Sequence, residues 1–263
     1  MTPTRRKTMK LYFLGTCACE FSPRLKTDLK ECFDKDVRRS SALLIDDRFL
    51  IDCGVHTLES LGIAKKDISK ITDIFITHTH MDHYNEENIR RIAEGRSTPL
   101  RVWLREGAKV SDLGEAEIRY TELFREYSEG DITFTAIPAN HDPKATPQHY
   151  IFTLGGKKLF YGCDGGWFVN PSFIFLKKQA IDIAVLDCTV GDYDGDFRIG
   201  EHNSIPMIRM MLASLYNVGA IKKDADIILS HMAPSLHVSH EKTEKIAEGF
   251  GARVAYDGLE LDL

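Results

Sequence analysis

Long apolar runs are missing from this chain of 263 residues, and so is any paired cysteine motif. No stretch approaches the roughly 20 apolar residues that a membrane-spanning helix requires, so we expect no membrane association. The six cysteines are scattered without a CxxC pair. In a chain of this size without a signal peptide, that pattern favours reduced thiols and a cytoplasmic location over a disulfide framework. Internal repeats and Pro/Ser-rich linkers are missing too, which argues against disorder.

An excess of positive charge is also missing. The chain has 34 Lys and Arg residues against 39 Asp and Glu residues, a formal net charge of -5. Because phosphate neutralisation needs a basic face, this balance disfavours a general nucleic-acid binder. The opening MTPTRRKTMK is basic, but no apolar signal-peptide core follows it. We therefore expect a disordered leader over residues 1–8, with Met9 as an alternative start, and a single domain over residues 9–263.

Short β-branched or aromatic runs alternate with helical patterns along the chain, which predicts an α/β domain of mixed sheets and outer helices. The predicted strands are residues 10–14, 42–45, 49–52, 73–77, 100–104, 132–138, 150–154, 158–162, 182–187, 226–230, 253–256 and 259–263. The predicted helices are residues 85–94, 205–216 and 240–248. The highly charged residues 105–129 predict a surface excursion with little core.

The most informative segment is an apolar strand that runs directly into four potential metal ligands. His78, His80 and Asp82 alternate, so in an extended chain they project to one side, and His83 falls at the turn into the next helix. Imidazole and carboxylate together suit zinc, manganese or iron. Four ligands are too many for one tetrahedral ion with an open position. The spacing therefore predicts two ions, with His78 and His80 on the first and Asp82 and His83 on the second.

Three further apolar strands end in potential ligands, namely His141, Asp164 and His231. The carboxyl ends of strands are the edge where α/β sheets place their chemistry, so we expect these side chains beside the first four. A carboxylate such as Asp164 can bridge two cations. His237 and His240 compete with His231 for the last ligand position, but only His231 directly ends a strand.

For four other residues the sequence either leaves the role open or favours a structural role. Asp52 and Asp187 each end an apolar strand, where a carboxylate can either orient a metal ligand or cap a turn. His56 and His149 we interpret as structural or surface histidines.

Together these residues resemble the metallo-β-lactamase superfamily of binuclear hydrolases, in which HxHxDH, a later His, a later Asp and a last His occur in this order. The resemblance spans nearly the whole chain from Met9. Three stretches are similar to the phosphodiesterase branch, which includes 3′-tRNA-processing endonucleases and a phosphoribosyl cyclic phosphodiesterase. They are LGT at residues 14–16, RRSS at residues 38–41 and YDGLE at residues 256–260.

The resemblance implies a four-layered αββα sandwich of two mixed sheets flanked by helices, with two divalent metal ions per chain at one edge. The candidate ions are Zn²⁺, Mn²⁺ and Fe²⁺. The implied ligands are His78, His80 and His141 for one ion, Asp82, His83 and His231 for the other, and Asp164 as a bridge. It further implies that His202 is a histidine outside the ligand set that protonates the leaving oxygen, while Asp82 also orients the attacking water.

These features predict a metal-dependent hydrolase that cleaves a small, cyclic or linear, phosphodiester with a hydroxide held by the metals. A nuclease acting on short RNA or DNA is the second interpretation, and a hydrolase of another ester class in the same superfamily is the third. A non-catalytic metal-binding protein is disfavoured because the full ligand set and His202 are both present. We expect the small diester as the main partner, with nucleic acid disfavoured and a homodimer as a candidate assembly.

Overall fold

The computed structural model describes residues 8–263, so all but the last residue of the predicted leader lies outside the described residues. Within this range the chain forms fourteen strands and five α-helices. The strands are β1 Lys10–Gly15, β2 Ala42–Ile45, β3 Phe49–Ile51, β4 Asp73–Phe75, β5 Arg101–Arg105, β6 Glu117–Thr121, β7 Glu126–Glu129, β8 Ile132–Pro138, β9 Gln148–Leu154, β10 Lys157–Gly162, β11 Ile181–Asp187, β12 Ile221–Ser230, β13 Ala252–Val254 and β14 Glu260–Asp262. The helices are α1 Thr57–Ile63, α2 Glu86–Ala93, α3 Asn170–Leu176, α4 Ile205–Asn217 and α5 His240–Glu248. None of these helices could span a membrane.

The strands form two seven-stranded sheets. The first has the order β14-β1-β2-β3-β4-β5-β6 and the second β13-β12-β11-β10-β9-β8-β7. In each sheet the first strands of the chain pair antiparallel, and the run that follows is parallel: β3 to β6 in the first sheet and β10 to β13 in the second. Both sheets are therefore mixed. The parallel runs matter for function because they bring several carboxyl ends of strands to one edge.

Helices cover the outer face of each sheet. Leu61 of α1 and Ile89 of α2 pack in one apolar cluster with the first sheet, while Ile208 of α4 and Ala247 of α5 pack in another with the second sheet. A third cluster, which includes Phe75, lies between the two sheets. The predicted four-layered αββα sandwich is confirmed.

Local sequence explains why α4 begins where it does. The Ser204 hydroxyl accepts a hydrogen bond from the Met207 amide, which caps the helix, and Pro206 sits in the first turn, where its missing N–H is not needed. Buried Ile208 and Leu215 lie on the face that packs on the second sheet. This cap is important for the site because residue 202, just before it, is thereby fixed close to the sheet edge.

The prediction for residues 105–129 is wrong in part. Most of this segment is exposed, but it contains β6 and β7, which are the last strands of the first and second sheets. Both are edge strands whose side chains are mostly exposed, so their sequences lack the apolar alternation that identifies a strand. Helices α1 and α3 have no counterpart in the predictions, since each has only seven residues and no side-chain cap at its start.

The centre of the inter-sheet core gives a direct test of the packing. Phe75 is fully buried, with the rings of Phe134, Phe152 and Tyr150 at 4.8, 5.0 and 5.8 Å between centroids. We expect Phe75→Ala to lower the free energy of unfolding by about 3–5 kcal/mol, because it leaves a cavity in a close-packed interior. Urea denaturation of the metal-free protein measures this. The control, Phe197→Ala, removes a ring that is 87% exposed and should change stability by less than about 0.5 kcal/mol. Equal losses in the two variants would contradict the described core.

Candidate metal centre

Four strand ends meet at one edge of the sandwich and carry the ligands that the sequence predicts. Residues 78–83 follow β4, His141 follows β8, Asp164 follows β10 and His231 follows β12. The structure brings all seven predicted ligands together in two groups, in each of which the ligand atoms lie within 4.8 Å of one another. The first group is His78, His80, His141 and Asp164, and the second is Asp82, His83, Asp164 and His231.

The first group is arranged around one carboxylate oxygen. His78 Nε2 lies 3.2 Å from Asp164 Oδ2, and His141 Nε2 lies 3.5 Å from the same oxygen. His80 Nδ1 is 3.1 Å from His141 Nε2. The His80 side chain is 38% exposed, whereas those of His78 and His141 are buried. This group therefore opens to solvent on the His80 side.

The second group is fully buried and uses the same oxygen. The Nε2 atoms of His83 and His231 are 3.1 Å apart, and each lies 3.3 Å from Asp164 Oδ2. Asp82 Oδ2 is 3.2 Å from His83 Nε2. Because Asp164 Oδ2 belongs to both groups, one carboxylate can serve two neighbouring cations.

The backbone is strained where the strands deliver these side chains. Asp52, Asp164 and His231 have φ values of 62°, 56° and 55°, in the left-handed region that side chains other than glycine rarely adopt. The residue after Asp164 is Gly165, and a Cβ at this position would lie 2.7 Å from His149 Nε2. His149 Nε2 in turn lies 3.3 Å from the Asp164 carbonyl oxygen, so this buried histidine supports the turn that presents Asp164.

Two buried carboxylates, Asp52 and Asp187, contact the histidines of the second group, as the orienting interpretation predicts. Asp187 also caps the turn that follows it, since its Oδ1 accepts from the Thr189 amide at 3.2 Å. Asp52 Oδ2 lies 2.7 Å from His83 Nδ1, and Asp187 Oδ2 lies 3.0 Å from His231 Nδ1. Because a carboxylate only accepts, each Nδ1 donates the proton and each Nε2 faces the ligand group. The Thr77 hydroxyl lies 2.9 Å from Asp52 Oδ1, and the Thr189 hydroxyl lies 2.9 Å from Asp187 Oδ2.

These contacts fit a bound cation. With Nδ1 committed to a carboxylate, the neutral tautomers of His83 and His231 point their Nε2 lone pairs at each other across 3.1 Å, an arrangement that only a proton or a metal ion stabilises. His78 Nε2 is buried, and its contact with Asp164 Oδ2 at 3.2 Å does not have the geometry of a hydrogen bond, as expected for two ligands that face a common ion. Imidazole and carboxylate donors of this kind suit zinc, manganese or iron.

The sequence profile of the Beta-lactamase superfamily domain matches residues 47–256, which is most of the chain. The chain belongs to this superfamily. The resemblance stated from the HxHxDH segment is thereby confirmed, and so is the prediction of a metal-dependent hydrolase at the level of the superfamily. The identity and the number of the ions stay predictions.

The chain is also similar to other proteins along part or most of its length. A UPF0173 protein of Pyrococcus abyssi (strain GE5 / Orsay) is 31% identical over 121 residues, which are 45% of this chain and 54% of that protein. The chain thus spans about half the length of that curated relative. The metallo-beta-lactamase fold protein YhfI from Bacillus subtilis has a TM-score of 0.76 at 16% identity, with 98% and 100% of the two chains covered. A diphosphatase from the PhnP family has a TM-score of 0.72 at 19% identity, with 97% of each chain covered. These two structures share the fold.

The protonation of the side chains in the two ligand groups is governed by their burial and by their contacts with one another. Burial lowers the pKa of His83, but Asp82 and Asp52 outweigh it and hold this pKa well above its ordinary value. Burial raises the pKa of Asp164, yet His231 and the other neighbouring histidines hold it well below its ordinary value. A cation must therefore displace protons from buried imidazoles, so metal binding strengthens as the pH rises.

His202 lies at the rim of the two ligand groups, on the loop before α4. Its Nδ1 lies 3.0 Å from Asp164 Oδ1 and 3.3 Å from Asp187 Oδ2. Burial lowers its pKa, but hydrogen bonds to these two carboxylates raise it to about 10 in the metal-free cluster. The structure thus places His202 against the predicted ligands. It also groups His202 with Asp164, Asp187 and His231 as atoms close enough to hold an ion, so its place outside the ligand set stays a prediction.

A cavity of about 480 Å³ lies over the site, and sequence reasoning missed several of the residues that line it. They are Cys19, Glu20, Met81, Thr189, Arg198 and Glu201. Thr189 follows a strand-ending Asp by two residues, a local signal that could have found it. Arg198 lies on the 3₁₀ turn Phe197–Gly200, and Glu201 is the residue after it. Neither position has a local sequence signal.

The remaining histidines lie outside both ligand groups. His237 Nε2 is 2.7 Å from the Cys188 carbonyl oxygen, and His240 Nδ1 is 3.2 Å from Arg38 Nη2. Neither belongs to a cluster that could hold a metal ion among the described residues, which agrees with the preference for His231. His149 is buried behind Asp164, and His56 lies at the start of α1.

We expect the two buried orienting carboxylates to matter most for metal affinity. Asp52→Asn and Asp187→Asn should each weaken metal binding about 10–100-fold, because a ligand histidine loses the acceptor that fixes its orientation. The matched control is Asp142→Asn, since Asp142 lies 3.6 Å from His80 Nε2 but is 36% exposed, and its loss should cost less than about 5-fold. Titration of chelated protein with Zn²⁺ measures the affinities, and circular dichroism checks the fold. Equal losses of metal affinity in all three variants would contradict the orienting role of the two buried carboxylates.

Proposed function

We propose that this superfamily member is a binuclear metal-dependent phosphodiesterase that acts on small, cyclic or linear, phosphodiesters. The observation that carries the proposal is the position of Asp164. Its Oδ2 contacts imidazoles of both ligand groups, while its Oδ1 lies 3.0 Å from His202 Nδ1. One residue thus joins two cation sites to a histidine that can act on a leaving group.

In this proposal, one cation binds on each side of Asp164. The proposed ligands are His78, His80 and His141 on the open side, Asp82, His83 and His231 on the buried side, and Asp164 between them. Two divalent cations, Zn²⁺, Mn²⁺ or Fe²⁺, would bind the anionic phosphate oxygens and lower the pKa of a water.

The protein side chains supply orientation and a proton. Asp82 lines the cavity beside His83, and in the proposed reaction it orients the attacking water. His202 Nδ1 is held by Asp164 and Asp187, which leaves Nε2 as the nitrogen that faces a substrate. A proton on Nε2 can pass to the leaving alkoxide, and the carboxylates on Nδ1 stabilise the imidazolium that gives it up.

The cavity favours a small substrate over a nucleic acid. Its volume of about 480 Å³ suits a ligand of nucleotide size. Glu20 and Glu201 line it, and Arg198 is the one Lys or Arg side chain that does so among residues 8–263. A long polyanion would be disfavoured by this rim, since a single basic side chain faces two carboxylates. The similarity in fold to a diphosphatase of the PhnP family supports chemistry on phosphate esters.

Metal content and substrate range test the proposal together. We expect about two ions per chain in protein purified without chelator or reconstituted with Zn²⁺ or Mn²⁺, as elemental analysis measures. A panel of cyclic and linear diesters should be turned over by this protein, with precursor tRNA and short RNA as the comparison. A reproducible content near one ion or none would contradict the binuclear site. Much faster cleavage of RNA than of any small diester would favour a nuclease instead.

The role of His202 is tested by separating metal binding from catalysis. His202→Ala should keep the fold and both ions but lower turnover of alkyl diesters by about 10²–10⁴-fold, the usual contribution of a positioned acid. The loss should be smaller for a nitrophenyl diester, because nitrophenolate leaves without much protonation. The comparison variant His231→Ala should lose metal together with activity. Loss of an ion from His202→Ala would make His202 a ligand, and full activity on alkyl diesters would place the acid elsewhere.

A further inference from the structure

The 3₁₀ turn Phe197–Gly200 forms one wall of the cavity and is fixed relative to the ligands. The Asn140 amide donates to the Gly200 carbonyl oxygen at 3.2 Å, and Asn140 directly precedes His141. The backbone amide of His202 donates to the Arg198 carbonyl oxygen at 2.9 Å. The turn is therefore held beside the predicted ligand His141, and its Arg198 side chain lines the cavity.

The guanidinium of Arg198 is available for contact with a ligand in this cavity. Its side chain lines the cavity and is 28% exposed. Its Nη1 lies 3.2 Å from Asp196 Oδ2, and no other hydrogen bond of the guanidinium is present within residues 8–263. Asp196 also accepts from the Arg198 amide at 2.9 Å, which orients the residue. The charge of Arg198 is thus partly balanced already, while its guanidinium plane can still present one face to a stacking partner in the cavity.

The Phe197 ring packs against the Arg198 guanidinium from outside the cavity. The Arg198 guanidinium carbon lies 4.8 Å from the centre of the Phe197 ring, within the range of a cation–π contact. The Phe197 ring is 87% exposed, the most exposed of the large apolar side chains among residues 8–263. A ring with this exposure contributes little to the packing of the core.

We infer that Arg198 and Phe197 form a stacking platform for a planar aromatic group on the alcohol part of the substrate, such as a nucleobase. Guanidinium planes and aromatic rings are the surfaces on which bases stack in proteins. The pairing with Asp196 favours stacking over recognition of a second phosphate, because a nearby carboxylate weakens the hold of Arg198 on an anion. This inference rests on the proposed phosphodiesterase function and names a substrate class for it.

Three diesters that differ only in the alcohol part test the platform. They are an adenosine 2′,3′-cyclic phosphate, a ribose cyclic phosphate with a terminal phosphate in place of the base, and a ribose cyclic phosphate with neither. We expect kcat/KM for the adenosine compound to exceed that of both others by about tenfold to a hundredfold. Replacement of the adenine by a simple aryl group should keep part of this preference.

Variants on the same turn identify the side chains involved. Arg198→Ala and Phe197→Ala should each lower the ratio of kcat/KM for the adenosine compound to that of the base-free compound by about tenfold. The matched control is Ile199→Ala, since Ile199 lies on the same turn, is 36% exposed and does not line the cavity, and it should keep the ratio. An unchanged ratio in both variants overturns the platform while leaving the phosphodiesterase proposal standing. A preference for the compound with the terminal phosphate would make Arg198 an anion site instead.

A binding measurement separates failure of the platform from failure of the proposed function. If no diester is hydrolysed, calorimetry with metal-loaded protein compares adenosine 5′-monophosphate with ribose 5-phosphate. About tenfold tighter binding of the nucleotide, lost in Arg198→Ala and kept in Ile199→Ala, would support the platform without any activity. Equal binding of the two compounds would overturn it.

Discussion

The buried carboxylate of Asp164 is the group on which the site depends. Its Oδ2 lies within 3.5 Å of ring nitrogens from four histidines, which follow strands of both sheets. A carboxylate in an apolar interior is tolerated only when its charge is balanced by nearby cations or protons. Asp164 therefore requires the convergence of the strand ends, and that convergence brings two groups of potential metal ligands to one shared carboxylate. The strained turn at Asp164, braced by His149, is the cost of presenting the carboxylate at that point.

The two sheets support the site in the same way. In the first sheet, Asp52 follows β3 and fixes His83, with the Thr77 hydroxyl completing its hydrogen bonds. In the second sheet, Asp187 ends β11 and contacts His231 in a similar manner. Each parallel run thus contributes a buried carboxylate one strand away from a ligand histidine. Because both carboxylates are held by the sheets rather than by loops, the orientation of the second ligand group follows from the architecture itself.

The sequence identifies the seven residues that come together at the site because each has a local signal, either the HxHxDH spacing or a His or Asp that directly ends an apolar strand. It predicts the layers for the same reason, since buried strands and α4 show clear periodicity. Strand β6 is not predicted, because an edge strand with exposed side chains has no apolar alternation. Arg198 and Glu201 escape because they reach the cavity through a loop whose path depends on contacts such as that from Asn140 to Gly200. Such contacts join residues about 60 positions apart, which spacing along the chain cannot reveal.

The two ligand groups differ in how firmly their histidines are held, and this difference follows from where they lie. In the buried group, Nδ1 of both histidines meets a buried carboxylate at 3.0 Å or less. In the open group, His141 Nδ1 has no hydrogen-bond partner among residues 8–263, and the nearest carboxylate oxygen is that of the exposed Glu201 at 3.8 Å. A ligand with a flexible partner can adjust its position, whereas one backed by a buried carboxylate cannot. The two histidines of the buried group are thus more firmly oriented than His141 in the open group.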